Sequence, residues 1–188
     1  MKKMNTGVKR FIFYTTITSP LGTIYVAFTK KGVSRIGLGI NSEKGFVKDL
    51  EDDYHIKAKM YKMGLTDFKK ELRSYFSSSH KVKSFSFRSP LDLLEGTPFE
   101  KEVWLEIKKV PYGKVISYKD LAIKVGRPRA ARAIGSACRK NPIPIIIPCH
   151  RIIGNDNSLK GYSSGIKIKR RLLEIEGVLK DNGFQGVI

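Results

Sequence analysis

The sequence predicts an α+β protein in two parts: an N-terminal antiparallel-sheet domain over residues 1–90 and a mostly helical domain over residues 91–188 containing a helix-turn-helix. Three observations carry this. Apolar residues alternate with a period of two in the first stretch of the chain. Later they recur at helical spacing between recognisable caps. Basic charge gathers in that later part. A chain of 188 residues is long enough to bury a proper hydrophobic core.

The sheet is read from FIFYTTIT (Phe11 to Thr18), TIYVAFT (Thr23 to Thr29) and VSRIGLGI (Val33 to Ile40). Ser-Pro-Leu-Gly and Lys-Lys-Gly separate them as turns, so an antiparallel meander is expected. Two helices follow, one marked by Phe46, Val47, Leu50 and Tyr54, the other by Phe68, Leu72, Tyr75 and Phe76. KSFSFRS (Lys83 to Ser89) reads as a short strand. No catalytic constellation lies here, and His55 and His80 read as surface histidines. The boundary falls in SPLDLLEG, Ser89 to Gly96.

Beyond it, Thr97 caps a helix, Pro98 suits its first position and Glu100 closes a Thr-x-x-Glu capping box. Phe99, Val103 and Ile107 form its buried face, with Trp104 beside it. Ser117 caps a short amphipathic helix that buries Leu121 and Val125, and Gly126-Arg127-Pro128 makes a turn. RAARAIGSACRK (Arg129 to Lys140) is the second helix of the pair, closed by Asn141-Pro142. Ala130, Ile134 and Ala137 share one face of it; Arg132, Ser136 and Arg139 share the opposite face, flanked by Ala131, Ala133 and Gly135. Small residues let that backbone approach a partner closely, DNA being the natural candidate given the charge; tight packing of the helix on a neighbour is the alternative.

The charge favours DNA. Lys and Arg number 36 against 17 Asp and Glu, a net +19. Between Lys108 and Arg171 there are 16 basic residues and two acidic ones, a net +14 in roughly a third of the chain. Such a concentration attracts a polyanion. No apolar run is long enough to span a membrane, no secretory signal is expected, and two cysteines cannot staple the chain. An intracellular, cytoplasmic protein with reduced thiols is expected.

The chemistry-bearing stretch is PIPIIIPCHRIIG. Its apolar run delivers Cys149 through the core, next to His150 and Arg151. In an electropositive site the thiol pKa is expected to fall below its free value of about 8.5, making the thiolate nucleophile. A buried structural cysteine followed by two surface cations is the alternative. Spacing for a zinc site is missing, as are Gly-rich phosphate loops, and a protease would need its histidine distant in sequence.

Ile147-Pro148-Cys149-His150-Arg151 resembles the active-site signature of the O6-alkylguanine-DNA alkyltransferases, the methylated-DNA–protein-cysteine methyltransferases. GTPFEKEVW (Gly96 to Trp104), VPYGKVISYKDLA (Val110 to Ala122), ARAIGSACRKNPIPIIIPCHRIIG (Ala131 to Gly154) and GYSSGIKIKRRLLEIEG (Gly161 to Gly177) resemble further segments of that family, in order. SPLGTIYVAF (Ser19 to Phe28) resembles its N-terminal hairpin, so the likeness covers nearly the whole chain.

The resemblance implies an RNase H-like N-terminal domain and a single-turnover, irreversible transfer of an alkyl group from O6 of guanine to Cys149. His150 would take the Cys149 proton through a water, and Glu176 would orient His150. Tyr118 would donate to the leaving guanine, and Asn141 would be the hinge before the active-site segment. Arg132 would fill the gap left by the flipped nucleotide, with the helix around it (Ala130, Ala131, Ala133, Gly135, Ser136 and Arg139) in the minor groove. Pro144, Tyr162, Ser163, Ser164 and Lys169 would wall the alkyl pocket. The partner implied is double-stranded DNA containing O6-alkylguanine, met by a monomer without cofactor.

Some readings stand apart from the resemblance. Glu176 closes a helix begun near Ser164, where a carboxylate opposes the helix dipole; this suggests a compensating partner, with a tolerated surface charge as the alternative. Asn141 also serves as a plain helix stop, and Lys169 also fits a solvated face. Some relatives hold zinc in the N-terminal domain; that domain has no cysteine here, so no metal is expected. The rival function is a basic helix-turn-helix protein that binds damaged or regulatory DNA and transfers nothing.

Overall fold

Strand β1 (Phe11–Ser19) turns into β2 (Gly22–Thr29), which turns into β3 (Gly32–Gly37), in a computed structural model that describes residues 11–77, 84–180 and 183–184. Both pairings are antiparallel, as the meander requires. Alternation decides which side chain meets which layer. Tyr25 and Ala27 join Ile12 and Tyr14 beneath helix α1 (Glu43–Tyr54), packing on Phe46 and Leu50. Ile24 and Val26 face the opposite way, toward helix α2 (Thr66–Ser77) and the rest of the chain. Ser42 caps α1 by accepting from Gly45 N at 3.1 Å.

The sheet is mixed rather than purely antiparallel. A fourth strand, β4 (Lys57–Met60), pairs in parallel with β1, from Phe11 opposite Lys57 to Tyr14 opposite Met60. The strand order is β3-β2-β1-β4. Lys-Ala-Lys-Met carries no apolar alternation because it is an edge strand with only Ala58 half-buried, so nothing in its pattern announced it. The other edge, β3, is closed by residues 90–92: Val33 N donates to Pro90 O at 2.9 Å and Asp92 N to Val33 O at 2.8 Å. Gly32, with φ +151°, lets Pro90 lie directly against the backbone where a Cβ would collide.

The strand expected over Lys83 to Ser89 is not formed: residues 84–88 are irregular, and Lys83 and His80 lie outside the described residues. Its backbone donors go elsewhere. Arg88 N and Ser89 N donate to the Glu71 carboxylate of α2, at 3.0 and 3.2 Å. Phe85 and Phe87 still pack inward, each 5.6 Å from the Tyr75 ring.

Helix α3 (Pro98–Lys108) begins with the expected capping box: Glu100 N donates to Thr97 Oγ1 at 3.2 Å and Thr97 N to Glu100 Oε2 at 2.8 Å. It buries Val103, Trp104 and Ile107, while Phe99 is half-buried under Arg127. After β5 (Ile116–Ser117) come α4 (Tyr118–Lys124) and α5 (Ala131–Arg139), the helix-turn-helix pair. Trp104 Nε1 donates to Ala137 O at 2.8 Å, fixing α5 on α3. A 3-10 turn (Cys149–Arg151), β6 (Ile152–Ile153), α6 (Ile166–Ile175) and a small hairpin of β7 (Leu179–Lys180) and β8 (Gly183–Phe184) complete the fold. One hydrophobic cluster runs from Ile24 and Leu72 to Trp104, Ile134 and Leu172, so both parts share a core. Among the described residues no helix is long and apolar enough to cross a membrane.

Candidate active site

Parallel pairing of β5 with β6 sets Ile116 opposite Ile152 and Ser117 opposite Ile153. Tyr118 follows directly on β5, and Cys149 lies three residues before β6, so this two-strand ladder brings them to one place. Ser117 caps α4 with an Asp120 capping box, fixing where Tyr118 leaves the strand.

Residues 141–149 are all buried. Asn141, just after α5, folds this run back on itself: its Oδ1 accepts from Ile143 N at 3.0 Å. Its Nδ2 donates to Ile147 O at 2.7 Å and to Cys149 Sγ at 3.0 Å. Ile145 sits at φ +76°, a left-handed conformation that a β-branched residue adopts only under constraint. Helix termination explains Asn141 only in part; its side chain also holds the thiol.

Glu176 ends α6 and is 5% exposed, so its charge must be met inside the protein. Oε1 accepts from Arg151 Nη2 at 2.9 Å and from Tyr75 Oη at 2.8 Å, and lies 2.8 Å from His150 Nε2. Oε2 accepts from Arg151 Nε at 2.8 Å and Gly113 N at 3.3 Å. Here is the compensating partner that a carboxylate at a helix C-terminus requires. Arg151 Nη1 donates to Val110 O at 2.6 Å. His150 Nδ1, also buried, has no partner of good hydrogen-bond geometry among the described residues.

Burial alone would raise the Glu176 carboxyl, but the charges and hydrogen bonds of His150 and Arg151 outweigh it and hold it at about 2. Burial pushes His150 down from the ordinary histidine value, against the pull of Glu176. With His150 neutral, the charge facing Glu176 at neutral pH is that of Arg151. The Cys149 thiol departs from expectation. Burial pushes it up; the Asn141 donor, Lys169 and Tyr162 pull it back without cancelling the rise. Sequence adjacency misled here, because the Arg151 guanidinium and His150 Nε2 meet Glu176 and His150 carries no charge at neutral pH.

Cys149 lines a cavity of about 640 Å³ together with Tyr118, Arg132, Gly135, Tyr162 and Ser163, with Ala131, Cys138, Arg139, Lys160 and Gly161 completing it. The Tyr118 ring lies under Gly135, about 4.0 Å from where a side chain there would begin. Burial pushes the Tyr118 hydroxyl pKa up, so it stays protonated. The Tyr162 hydroxyl is buried beside the thiol, with no partner of good hydrogen-bond geometry among the described residues. Arg132, Ala133, Ser136 and Arg139 are exposed on α5; Ala131 and Gly135 are half-buried, and Ala130 is its half-buried N-cap residue.

Pro144 and Ser164 line a neighbouring cleft instead, which Ser163 shares. Lys169 is not on a solvated face. It is 0% exposed and donates at 2.6 Å to both Ile152 O and Leu159 O, tying β6 to the 154–163 loop. Burial lowers its ammonium to about 8. Sequence reasoning missed the roles of Arg151 and Tyr75. Arg151 stood beside the signature; Tyr75, 101 positions from Glu176, gave no local signal. Among the described residues no group of three or more His, Cys, Asp and Glu could hold a metal ion.

Comparison with known proteins agrees with this geometry. Residues 12–93 match the ribonuclease-like domain of 6-O-methylguanine DNA methyltransferase and residues 98–178 its DNA-binding domain. The methylated-DNA–protein-cysteine methyltransferase of Methanosarcina barkeri is 39% identical over 88% of this chain and 97% of its own length. The constitutive enzyme of Bacillus subtilis is 35% identical over 88% and 96%. A crystal structure of Mycobacterium tuberculosis OGT in complex with DNA superposes with a TM-score of 0.71 at 34% identity, covering 87% of this chain and 92% of that one. The chain belongs to the 6-O-methylguanine DNA methyltransferase family.

Proposed function

We propose that this protein repairs double-stranded DNA by moving an alkyl group from O6 of guanine onto Cys149. The observation that carries the reading is that buried Cys149 lines a 640 Å³ cavity together with Arg132, which is exposed on α5. A base inside a duplex cannot reach such a thiol, so the damaged nucleotide is extruded into the cavity while Arg132 takes its place in the stack. The small residues of α5 let the backbone enter the minor groove.

Neutral His150 is the base. Its Nε2–H is held by Glu176, which leaves Nδ1 to accept the Cys149 proton through a water. Because burial raises the thiol, deprotonation belongs to the reaction rather than to the resting protein. Sulfur displaces in line: the S–C bond forms, the C–O6 bond breaks, the Tyr118 hydroxyl donates a hydrogen bond to the leaving guanine, and the proton lost by Cys149 is returned to that guanine through His150 and water. Asn141 orients sulfur, and Tyr162, Ser163 and Lys169 keep the pocket wall in place. Pro144 and Ser164 support that wall from the adjoining cleft.

The thioether has no leaving route, so each molecule acts once. Nothing in the scheme needs a cofactor, and every group comes from one chain, so a monomer acting on DNA inside the cell, in the cytoplasmic compartment, suffices. We divide the chain into a structural part to residue 90 and a reactive part from residue 91, a reading supported by Tyr118, Arg132, Cys149, His150 and Glu176 all falling in the latter.

Intact mass after incubation with O6-methylguanine duplex tests the reading. One methyl group, mapped to Cys149 and absent in Cys149→Ser, is expected. Binding without mass gain would instead establish the DNA-recognition protein. Turnover beyond one guanine per molecule, or methyl on Cys138, would refute the assignment.

A further inference from the structure

Tyr75 belongs to α2, far from the reactive segment in sequence, yet its hydroxyl donates to Glu176 at 2.8 Å inside the core. Its ring is packed edge-on against Phe76, Phe85 and Tyr112 and tilted against Phe87. A phenylalanine would fill that space equally well, so packing explains the ring and not the oxygen. The oxygen it reaches is Oε1, the one beside His150 Nε2, whereas Oε2 serves Arg151 Nε and Gly113 N.

We propose that Tyr75 is a positioning residue for the alkyl transfer: delivered from the ribonuclease-like region, it holds Glu176 Oε1 and thereby tunes the His150 base. The inference rests on the function proposed above. A donor on Oε1 competes for the lone pairs that would otherwise bind the His150 proton, making that oxygen a weaker attractor of an imidazolium. His150 therefore stays neutral at rest with Nδ1 ready to accept. Among the described residues, the titratable groups facing this pair are Arg151 from the 3-10 turn, Lys169 from α6, Tyr162 from the 154–163 loop and Tyr75 itself, with Tyr112 behind Tyr75. Tyr75 is the only one of these supplied by the region before residue 94, so that region takes part in setting up the chemistry.

The test compares wild-type protein, Tyr75→Phe, and protein with 3-fluorotyrosine placed at position 75 alone, whose hydroxyl is the stronger donor. Single-turnover transfer from O6-methylguanine duplex is followed against pH, and the His150 titration is read from nitrogen-15 chemical shifts. Tyr75→Phe should move the acid limb and the His150 pKa upward by about half a unit to one unit, the worth of one hydrogen bond. The fluorinated residue should move both downward. DNA affinity should stay unchanged in both variants. Limbs and titrations that do not move, whatever happens to stability, would reduce Tyr75 to a packing residue. If Tyr75→Phe fails to fold, the fluorinated protein decides alone. The His150 titration does not depend on alkyl transfer, so a wild type that gains no methyl overturns the function while the shifts still judge Tyr75.

Discussion

Asn141 Nδ2 is shared between the Ile147 carbonyl oxygen at 2.7 Å and the Cys149 sulfur at 3.0 Å, which makes a helix-ending asparagine part of the thiol's environment. It is also among the groups that pull the thiol pKa back down. Asn141→Ala should therefore raise the pH at which Cys149 reacts with a small thiol reagent. The variant should also lose about 1–3 kcal/mol of stability, since buried partners are left unsatisfied. Thiol-reagent kinetics against pH, with denaturant melts alongside, would check both. An unchanged thiol profile would make Asn141 a turn-former only.

Acid sensitivity should trace to Glu176. Its folded pKa of about 2 lies below the ordinary glutamate value of about 4.3. The stability it contributes is thus complete above about pH 5 and is lost as pH falls toward 2. His150 acts in the same direction, because its lowered pKa makes protonation favour the unfolded chain. Glu176→Gln should be strongly destabilised at pH 7, by roughly 3–5 kcal/mol for one broken buried pair. The gap from wild type should narrow below pH 4. Urea melts at several pH values give this difference directly.

Arg132 can be separated from its basic neighbours by substrate. Arg132→Ala should slow transfer from duplex DNA by about tenfold or more, the equivalent of roughly 1.4 kcal/mol. Transfer from free O6-benzylguanine, which needs no extrusion, should stay near normal. Lys124→Ala or Arg139→Ala should weaken binding to damaged and undamaged duplex alike and flatten its salt dependence. Equal slowing with both substrates in Arg132→Ala would place Arg132 in the pocket or the fold.

Lys169 offers a test on the basic side. Its folded pKa of about 8 lies below the unfolded value near 10.4, so the unfolded chain holds the extra proton between those limits. Stability should rise with pH across that window, and Lys169→Met should remove the rise. The same variant frees the Leu159 carbonyl and lets the 154–163 loop drift, so transfer should slow while undamaged DNA binds as before.

Much of this was legible because local chemistry and tertiary structure agree. Thr97 with Glu100 and Ser117 before Leu121 mark helix starts that need no long-range partner. The Pro-Cys-His-Arg segment named the reactive residue through family resemblance. What escaped depended on distant partners. β4 exists because β1 offers an edge, not because Lys-Ala-Lys-Met prefers a strand. The Phe85 and Phe87 alternation described packing correctly, yet the Glu71 carboxylate captured the backbone that a ladder would have used. The sign of the Cys149 shift was misread because proximity along the chain says nothing of where a guanidinium points.

The left-handed Ile145 has a further consequence. Such a residue costs on the order of 1–3 kcal/mol and persists only where its surroundings over-determine it. Here the Asn141 side chain and the Ile147 N to Ile143 O bond, at 2.9 Å, lock the bend from both sides. The acceptor is thus mounted on a stiff bracket that cannot recoil. When sulfur gains a carbon, the room must come from the exposed stretch around Gly161 and Ser163, which lines the same cavity, or from breaking the bracket itself. A bulkier adduct pushes harder on the same joint, so the spent molecule should record the size of the lesion it removed in how readily it unfolds.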